Sequence, residues 1–239
     1  MCIMKPVLCD LHTHTIASGH AYSTLKENID AALSAGLKVF GTSEHGPAMP
    51  GTIGEMYFSN FKVVPKEIDG MRIVCGVEAN ILTTDGAVDV DAAMASKLDY
   101  VIAGIHSHCY ADAGLIGNTD AIIGAMEHPF VRIISHPDDS RFPADRDALA
   151  EAAAAKGVAL ELNNGSLNPK SKRSGGRENI IELLEACAKW GTQVIIGSDS
   201  HICYEIGHVE RALEMLELTH FPEAQVLNFD LDRLGFVLN

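Results

Sequence analysis

Short apolar runs rich in β-branched residues recur along the chain, and each of them ends in a cluster of polar residues. Runs of this kind are typical of strands that are buried on both faces of a sheet. The sequence contains them at 7–15, 38–45, 72–80, 100–108, 131–137, 158–164 and 193–201. The pattern therefore predicts seven strands.

Helical patterns separate several of these strands. Thr24 and Glu27 have the spacing of a capping box, and Gly36 suits the end of the helix that follows. Three further helices are predicted at about 145–157, 180–190 and 207–218, and the segment 46–70 is predicted as a loop with one short helix.

Strands that alternate with helices predict a parallel sheet. Here polar residues follow all seven strands, whereas a doubly wound sheet gathers its functional groups mainly at one switch point. In a (β/α) barrel all the carboxyl ends of the strands share one rim, where active sites are built. No low-complexity tract or charge run suggests a linker, so we predict one α/β barrel domain over residues 1–239.

Nine residues on the predicted rim are candidate metal ligands. They are His12, His14, His20, His45, Glu78, His106, His136, Asp199 and His201. A single histidine after a strand is more often a hydrogen-bonded structural residue, but seven histidines and two carboxylates on one rim favour metal binding. Imidazoles suit zinc, iron and similar ions better than magnesium or calcium. Nine ligands are too many for one tetrahedral ion, so two to three divalent transition metals are expected, with Glu78 or Asp199 as the bridge.

The composition narrows the function further. The 239 residues are 47% hydrophobic and carry a formal net charge of −14, which argues against broad attraction to nucleic acid or to an anionic membrane. No apolar run approaches the ~20 residues that span a bilayer, and no signal-peptide pattern is present, so we expect a cytoplasmic protein. The six cysteines form no C-x-x-C pair, and reduced thiols are expected.

Seven motifs, in order over essentially the whole chain, resemble the polymerase and histidinol phosphatase (PHP) family. They are "DLHTH", "SEHG", "GVEANI", "AGIHSH", "ISHP", "ELNN" and "GSDSH". The match is closest to small stand-alone bacterial phosphatases of the YcdX-like type. The resemblance implies a distorted (β/α)7 TIM-like barrel, a trinuclear metal centre and phosphoesterase activity.

The resemblance also assigns ligands to ions. It implies one ion held by His12, His14, Glu78 and Asp199, a second by Glu78, His106 and His136, and a third by His20, His45 and His201. One departure from the family pattern is "SHPDDS", where Asp138 and Asp139 replace a usual glycine and asparagine and add negative charge near the rim.

We therefore expect a phosphatase of the EC 3.1.3 type that hydrolyses a phosphomonoester of a small molecule by metal-bound hydroxide, with no side-chain nucleophile. Zinc is the expected metal, with manganese or iron as alternatives. The absence of a G-x-S-x-G elbow argues against serine catalysis. An amidohydrolase would call for a lysine or other bridge on a middle strand and for fewer histidines. A PHP phosphodiesterase or exonuclease and a non-catalytic metal-binding regulator stay open.

The loop after the sixth strand gathers positive charge in an acidic chain. Lys170, Lys172, Arg173 and Arg177 fall between residues 163 and 180. Because a guanidinium can hold two phosphate oxygens at once, Arg173 and Arg177 are predicted substrate contacts, and His108 is a third candidate. A solvated loop is the alternative. Homo-oligomers, trimers included, are compatible with the family resemblance.

Overall fold

The computed structural model describes residues 5–173 and 175–238. Eight strands lie in this part of the chain: β1 (Cys9–Asp10), β2 (Val39–His45), β3 (Glu67–Ile68), β4 (Met71–Asn80), β5 (Tyr100–Gly104), β6 (Val131–Ile134), β7 (Ala159–Asn163) and β8 (Val194–Gly197). Each of the seven predicted runs contains one of them. Several strands end before the run does, because the polar residues that follow belong to loops. The short β3 was not predicted.

Eight α-helices lie in the described residues: α1 (Leu25–Ser34), α2 (Glu55–Ser59), α3 (Ala92–Ala95), α4 (Gly114–Ala125), α5 (Arg146–Lys156), α6 (Gly176–Trp190), α7 (Glu210–Leu218) and α8 (Gly235–Leu238). The capping box of Thr24 and Glu27 is formed, and Gly157 ends α5 in a left-handed conformation. The four predicted helices are thus confirmed, and 46–70 contains the short α2.

Helix α4 was not identified from the sequence. It contains Gly114, Gly117 and Gly124, which lower the helix propensity of the segment. No side chain caps its amino end at Ala113. Its glycines also serve packing, because a Cβ on Gly124 would collide with the backbone of Asp85. Tertiary contact therefore stabilises a helix that local propensity disfavours.

Seven of the strands are parallel neighbours in the order β1-β2-β4-β5-β6-β7-β8, and β3 pairs antiparallel with β4. Thr13 and Ser200 form a parallel bridge beyond the ends of β1 and β8. Near the other end of the same two strands, Asn228 donates to the carbonyls of Cys9 and Ile196 at 3.0 and 2.9 Å. The sheet is therefore nearly closed, and the predicted (β/α) barrel is confirmed.

Apolar side chains pack on both sides of the sheet. On the outer side they lie between strands and helices and form two clusters. The inner layer contains side chains from all seven parallel strands, namely Cys9, Val39, Val74, Tyr100, Ile102, Ile133, Ala159 and Ile195. In this inner layer, the Tyr100 hydroxyl donates to the Leu11 carbonyl at 2.6 Å. A Cβ on Gly41 or Gly76 would collide with Tyr100, so glycine makes room for this ring.

None of the helices described, over residues 5–173 and 175–238, has the length and apolar character needed to cross a membrane.

Candidate metal centre

The strand period of two carries the chain from the apolar interior to the polar rim. In β4 the alternate residues are Val74, Gly76 and Glu78, so a core residue, a glycine and a candidate ligand follow one another on one side. Ile195 and Gly197 in β8 repeat the core residue and the glycine, and the candidate ligand Asp199 follows two residues after the strand. A Cβ on Gly197 would collide with Oε1 of Glu161 and with His12. Glycine at this position therefore leaves space for these two polar side chains.

Glu78 lies at the centre of the candidate ligands and is fully buried. Its Oε1 lies 2.9 to 3.3 Å from Nε2 of three histidines, His12, His106 and His136. Its Oε2 lies 2.9 Å from His45 Nδ1 and 3.5 Å from His14 Nε2. Burial alone would raise the pKa of Glu78, but the surrounding imidazoles, His106 first, keep it well below the usual range. An ionised carboxylate with two oxygens facing different imidazoles has the form of a bridging ligand.

Asp199 supplies the second carboxylate. Its Oδ1 lies 3.4 to 3.7 Å from ring nitrogens of three histidines, His12, His14 and His201. Burial opposes ionisation of Asp199, yet His12 and Arg173 hold its pKa well below the usual range. The described part of the cluster thus combines a buried anion, Glu78, and a partly buried one, Asp199, with imidazoles around them.

Several ring nitrogens face one another without a visible donor. Nε2 of His12 lies 3.1 Å from Nε2 of His14, and Nε2 of His20 lies 3.0 Å from Nε2 of His201. Burial and neighbouring histidines lower the pKa of His14 well below its usual value and that of His20 to about 4. Both rings are therefore neutral at pH 7, which is the form that binds metal ions.

Buried polar atoms at the centre also lack partners. Among the described residues, Glu78 Oε2 and His106 Nδ1 make no hydrogen bond. His45 Nδ1 is 2.9 Å from Glu78 Oε2 but out of hydrogen-bond geometry. A buried polar atom without a hydrogen-bond partner destabilises the folded protein unless a ligand binds it. Because these atoms are carboxylate oxygens and imidazole nitrogens, the donor set fits divalent cations.

Three groups of donor atoms, each within 4.8 Å of one another, occur in the described residues. They are His14, His45 and His201; His12, His14 and Asp199; and His45, Glu78 and His106. The structure thus places His45 beside Glu78 as well as beside His201. The assignment of each ligand to one ion, which the family resemblance implies, stays a prediction.

Two of the candidate ligands have a strained backbone. His136 has φ 33° and Asp199 has φ 54°, in the left-handed region that side chains rarely adopt. Such conformations persist where the surroundings enforce them, and they cluster at functional sites. Here they turn the side chains after β6 and β8 towards the cluster.

Glu161 was missed by the sequence analysis. It is buried, and its Oε1 lies 2.7 Å from His12 Nδ1, while its Oε2 accepts from the His136 amide at 2.8 Å. The contact with Nδ1 leaves Nε2 of His12 facing the cluster. The signal was the strand "ALELN", where Glu161 occupies an inward position between two leucines.

A second supporting carboxylate, Glu44, was also missed. It accepts hydrogen bonds from the Ser18 hydroxyl at 2.6 Å and from the Thr15 amide at 3.0 Å. Ser18 Oγ in turn lies 3.0 Å from His14 Nδ1. Glu44 therefore orients His14 through Ser18, and it is fully buried. The available signal was a glutamate inside the strand run that ends in "SEHG".

Comparisons with known proteins identify the chain. The family model described as PHP domain matches residues 10–165. The chain belongs to the PHP family. It is 41% identical over 223 residues to a probable phosphatase of Clostridium acetobutylicum, covering 93% of this chain and 91% of that protein. It is also 41% identical over 225 residues to a probable phosphatase of Proteus mirabilis, covering 94% and 90%.

A solved structure has a similar fold. The histidinol phosphate phosphatase of Lactococcus lactis subsp. lactis, complexed with zinc, L-histidinol and phosphate, matches with a TM-score of 0.58 and 17% identity, covering 90% of this chain and 95% of that chain. At this identity the likeness supports the barrel fold alone.

Two of the three predicted substrate contacts of this PHP chain, His108 and Arg173, line the cavity over the histidines. His108 is exposed, and Arg173 is partly buried. Arg173 Nη1 donates to Asp199 Oδ2 at 3.0 Å and to Asn163 Oδ1 at 3.1 Å. Arg177 instead begins α6, and its Nη1 contacts the sulfur of Met215 in α7 at 3.6 Å. The structure does not bring Arg177 to the cluster.

The paired aspartates after "SHP" add less negative charge than expected. Asp139 is bound by Arg141, whose Nη2 donates to Oδ2 at 2.6 Å, and this pairing keeps the pKa of Asp139 below its usual value although burial opposes it. Burial raises the pKa of Asp138 to about 7, against the opposing charge of Arg173. Arg141, which the sequence analysis did not single out, therefore balances the charge of Asp139.

Proposed function

We propose that this PHP protein is a metal-dependent phosphatase that hydrolyses the phosphomonoester of a small molecule. The observation that carries the proposal is the ligand cluster, in which five histidines lie against the Glu78 carboxylate and three lie against that of Asp199. Relatives 41% identical over most of the chain are named probable phosphatases, and the fold neighbour from L. lactis was solved with zinc and phosphate.

The proposed cofactors are two to three divalent transition metals, zinc first and manganese or iron as alternatives. When bound, such ions supply positive charge for the phosphoryl oxygens and the hydroxide nucleophile of the hydrolysis. The nine residues His12, His14, His20, His45, Glu78, His106, His136, Asp199 and His201 would hold them. Glu161 and Glu44 would keep His12 and His14 in the ligand tautomer.

The cavity above the cluster fits a small phosphorylated substrate. It has a volume of about 400 Å³ and is lined by His20, His45, His106, His201 and Arg173 among others. That volume lies in the range of small-molecule sites, roughly 300–1,000 Å³. The partly buried Arg173 is directed into the site by Asp199 and Asn163, so its guanidinium is placed to meet a phosphoryl oxygen.

A panel of substrates tests the proposal. Metal-free protein receives zinc or manganese and is offered phosphomonoesters, phosphodiesters, and lactones or amides. We expect hydrolysis of monoesters, loss on chelation and recovery with metal. His12→Ala should abolish turnover, while His208→Ala, a change at an exposed histidine outside the cluster, should not.

The alternative functions predict different results in the same panel of substrates. Faster cleavage of diesters would favour a phosphodiesterase or exonuclease. Stoichiometric metal binding without turnover of any ester would favour a regulator. Cytoplasmic location stays a prediction, which fractionation tests. A homo-oligomer, trimer included, stays a prediction that size-exclusion chromatography tests. One domain over 1–239 also stays a prediction.

A further inference from the structure

A second cavity adjoins the one above the histidines. Its volume is about 300 Å³, and its walls include the cations Arg141, Lys170, Lys172 and Arg173. The acidic lining residues are Asp199 and Glu205. Arg141, Arg173 and Asp199 line both cavities, so the two spaces meet at these side chains.

Arg141 is fixed in this position by Asp139. Its Nε lies 3.0 and 3.1 Å from the two oxygens of Asp139, and its Nη2 lies 2.6 Å from Oδ2. Asp139 itself is buried, whereas the Arg141 side chain is 37% exposed. Within the described residues, Nη1 of Arg141 makes no hydrogen bond. The guanidinium is therefore held at the cavity wall with the N–H donors of Nη1 available to a ligand.

Positive charge at this junction exceeds negative charge. Arg173 Nε lies 3.5 Å from the same Asp139 oxygen that Arg141 binds, so one carboxylate is shared by two guanidinium groups. Lys170 and Lys172 have no ion pair among the described residues. With Asp139 counted beside the lining residues Asp199 and Glu205, four cations face three acidic side chains, so in a chain of net charge −14 this junction favours an anion.

We infer that this second cavity is an anion subsite, and that the substrate is a small phosphomonoester with a second phosphate or carboxylate. The inference rests on the proposed phosphatase function. The phosphoryl group that is cleaved lies over the histidine cluster. The second anionic group lies against Arg141, with Lys170 and Lys172 beside it, and remains attached to the product.

Matched substrates test the inference with the metal-loaded protein. Fructose 1,6-bisphosphate is compared with fructose 6-phosphate, and 3-phosphoglycerate with glycerol 3-phosphate, so that the two pairs separate a second phosphate from a carboxylate. We expect kcat/KM to be at least about tenfold higher for the doubly anionic member of one pair. Arg141→Met should reduce that preference about tenfold, and the double variant Lys170→Met/Lys172→Met should reduce it by less.

Arg132→Met is the matched control, because Arg132 is an exposed arginine in β6 that lines neither cavity. It should leave the preference unchanged. Equal kcat/KM within both pairs, or equal losses in Arg141→Met on singly and doubly anionic esters, would overturn the subsite.

The anion subsite can also be tested if the protein proves not to be a phosphatase. If no ester is turned over, calorimetric titration of the metal-loaded protein with the same four compounds still measures the preference. Tighter binding of a doubly anionic compound that Arg141→Met weakens would retain the subsite in a protein without phosphatase activity. Equal binding within each pair would reject it.

Discussion

The rim of the barrel has two sides that differ in how they are built. On the histidine side, around Glu78, all the candidate ligands except His20 lie on strands or within four residues of a strand end, and most of them are buried. On the arginine side, Arg141 and Arg173 come from the loops after β6 and β7 and are held by hydrogen bonds to aspartates. The strands therefore position the reaction chemistry, and the loops position the groups that choose a substrate.

This difference predicts how each side responds to change. A buried group surrounded by imidazoles cannot be replaced without leaving several charges or lone pairs unmatched. A partly exposed guanidinium can be lost with a smaller penalty, because water replaces it. Changes on the histidine side should thus act on metal content, and changes on the arginine side on substrate affinity.

The largest effect is expected for Glu78→Gln. The change removes a charge that faces five imidazoles, so metal content should fall by at least one equivalent and kcat by roughly a thousandfold. Elemental analysis and hydrolysis of 4-nitrophenyl phosphate measure both. Glu151→Gln, at an exposed site on α5, is the control. Normal metal content and turnover in Glu78→Gln would show that Glu78 is not a bridge.

Glu161→Gln should give an intermediate effect on the same side. The amide keeps the shape of the side chain but loses the charge that orients His12 and accepts from the His136 amide. Partners of this kind are typically worth roughly 10–100-fold in metal affinity or activity. Competition with a metal chelator measures the affinity. An unchanged metal dissociation constant would reduce Glu161 to a structural residue.

The sequence predicted the histidine side better than the arginine side for a physical reason. Alternation along buried strands fixes which residues share a face, so the rim position of Glu78 follows from the local pattern of β4. The loop after β7 has no such period. Arg173 and Arg177 were both predicted contacts, with the first turn of the next helix as the alternative for Arg177, and the start of α6 does carry Arg177 towards α7.

Other misses have the same origin. Arg141 lies in the loop after β6, and only its pairing with Asp139 reveals where its guanidinium points. Glu161 was detectable, since a carboxylate at an inward strand position requires a partner, but the identity of that partner depends on closure of the barrel. Backbone strain at His136 and Asp199 is likewise visible only in three dimensions.

Arg173→Met and Arg177→Met form a matched pair within one segment of the arginine side. Arg173→Met should raise KM roughly tenfold, about 1.4 kcal/mol, because a phosphate contact is lost. Arg177→Met should behave as wild type. Metal analysis alongside the kinetics separates a lost substrate contact from a disturbed Asp199. Equal KM values in both variants would remove Arg173 from the substrate site.

The smallest effect is expected for Asp138→Asn and concerns stability. The pKa of Asp138 is about 7 in the folded protein, against an ordinary value of 3.8, because the carboxyl group is buried. The folded state therefore holds a proton that the unfolded state has released, so this group makes the protein less stable as pH rises from about 4 to about 7. Asparagine has no charge to bury and lacks this dependence.

The gain from Asp138→Asn should accordingly be larger at pH 8 than at pH 6, by about 1 kcal/mol. For a chain of this size that difference corresponds to roughly 2–4 °C in Tm. Thermal unfolding of both proteins at the two pH values measures it, and because each comparison is made at one pH, the titration of the histidines largely cancels. A gain that is the same at pH 6 and pH 8 would mean that Asp138 is already ionised at pH 6, with Arg173 compensating its burial fully.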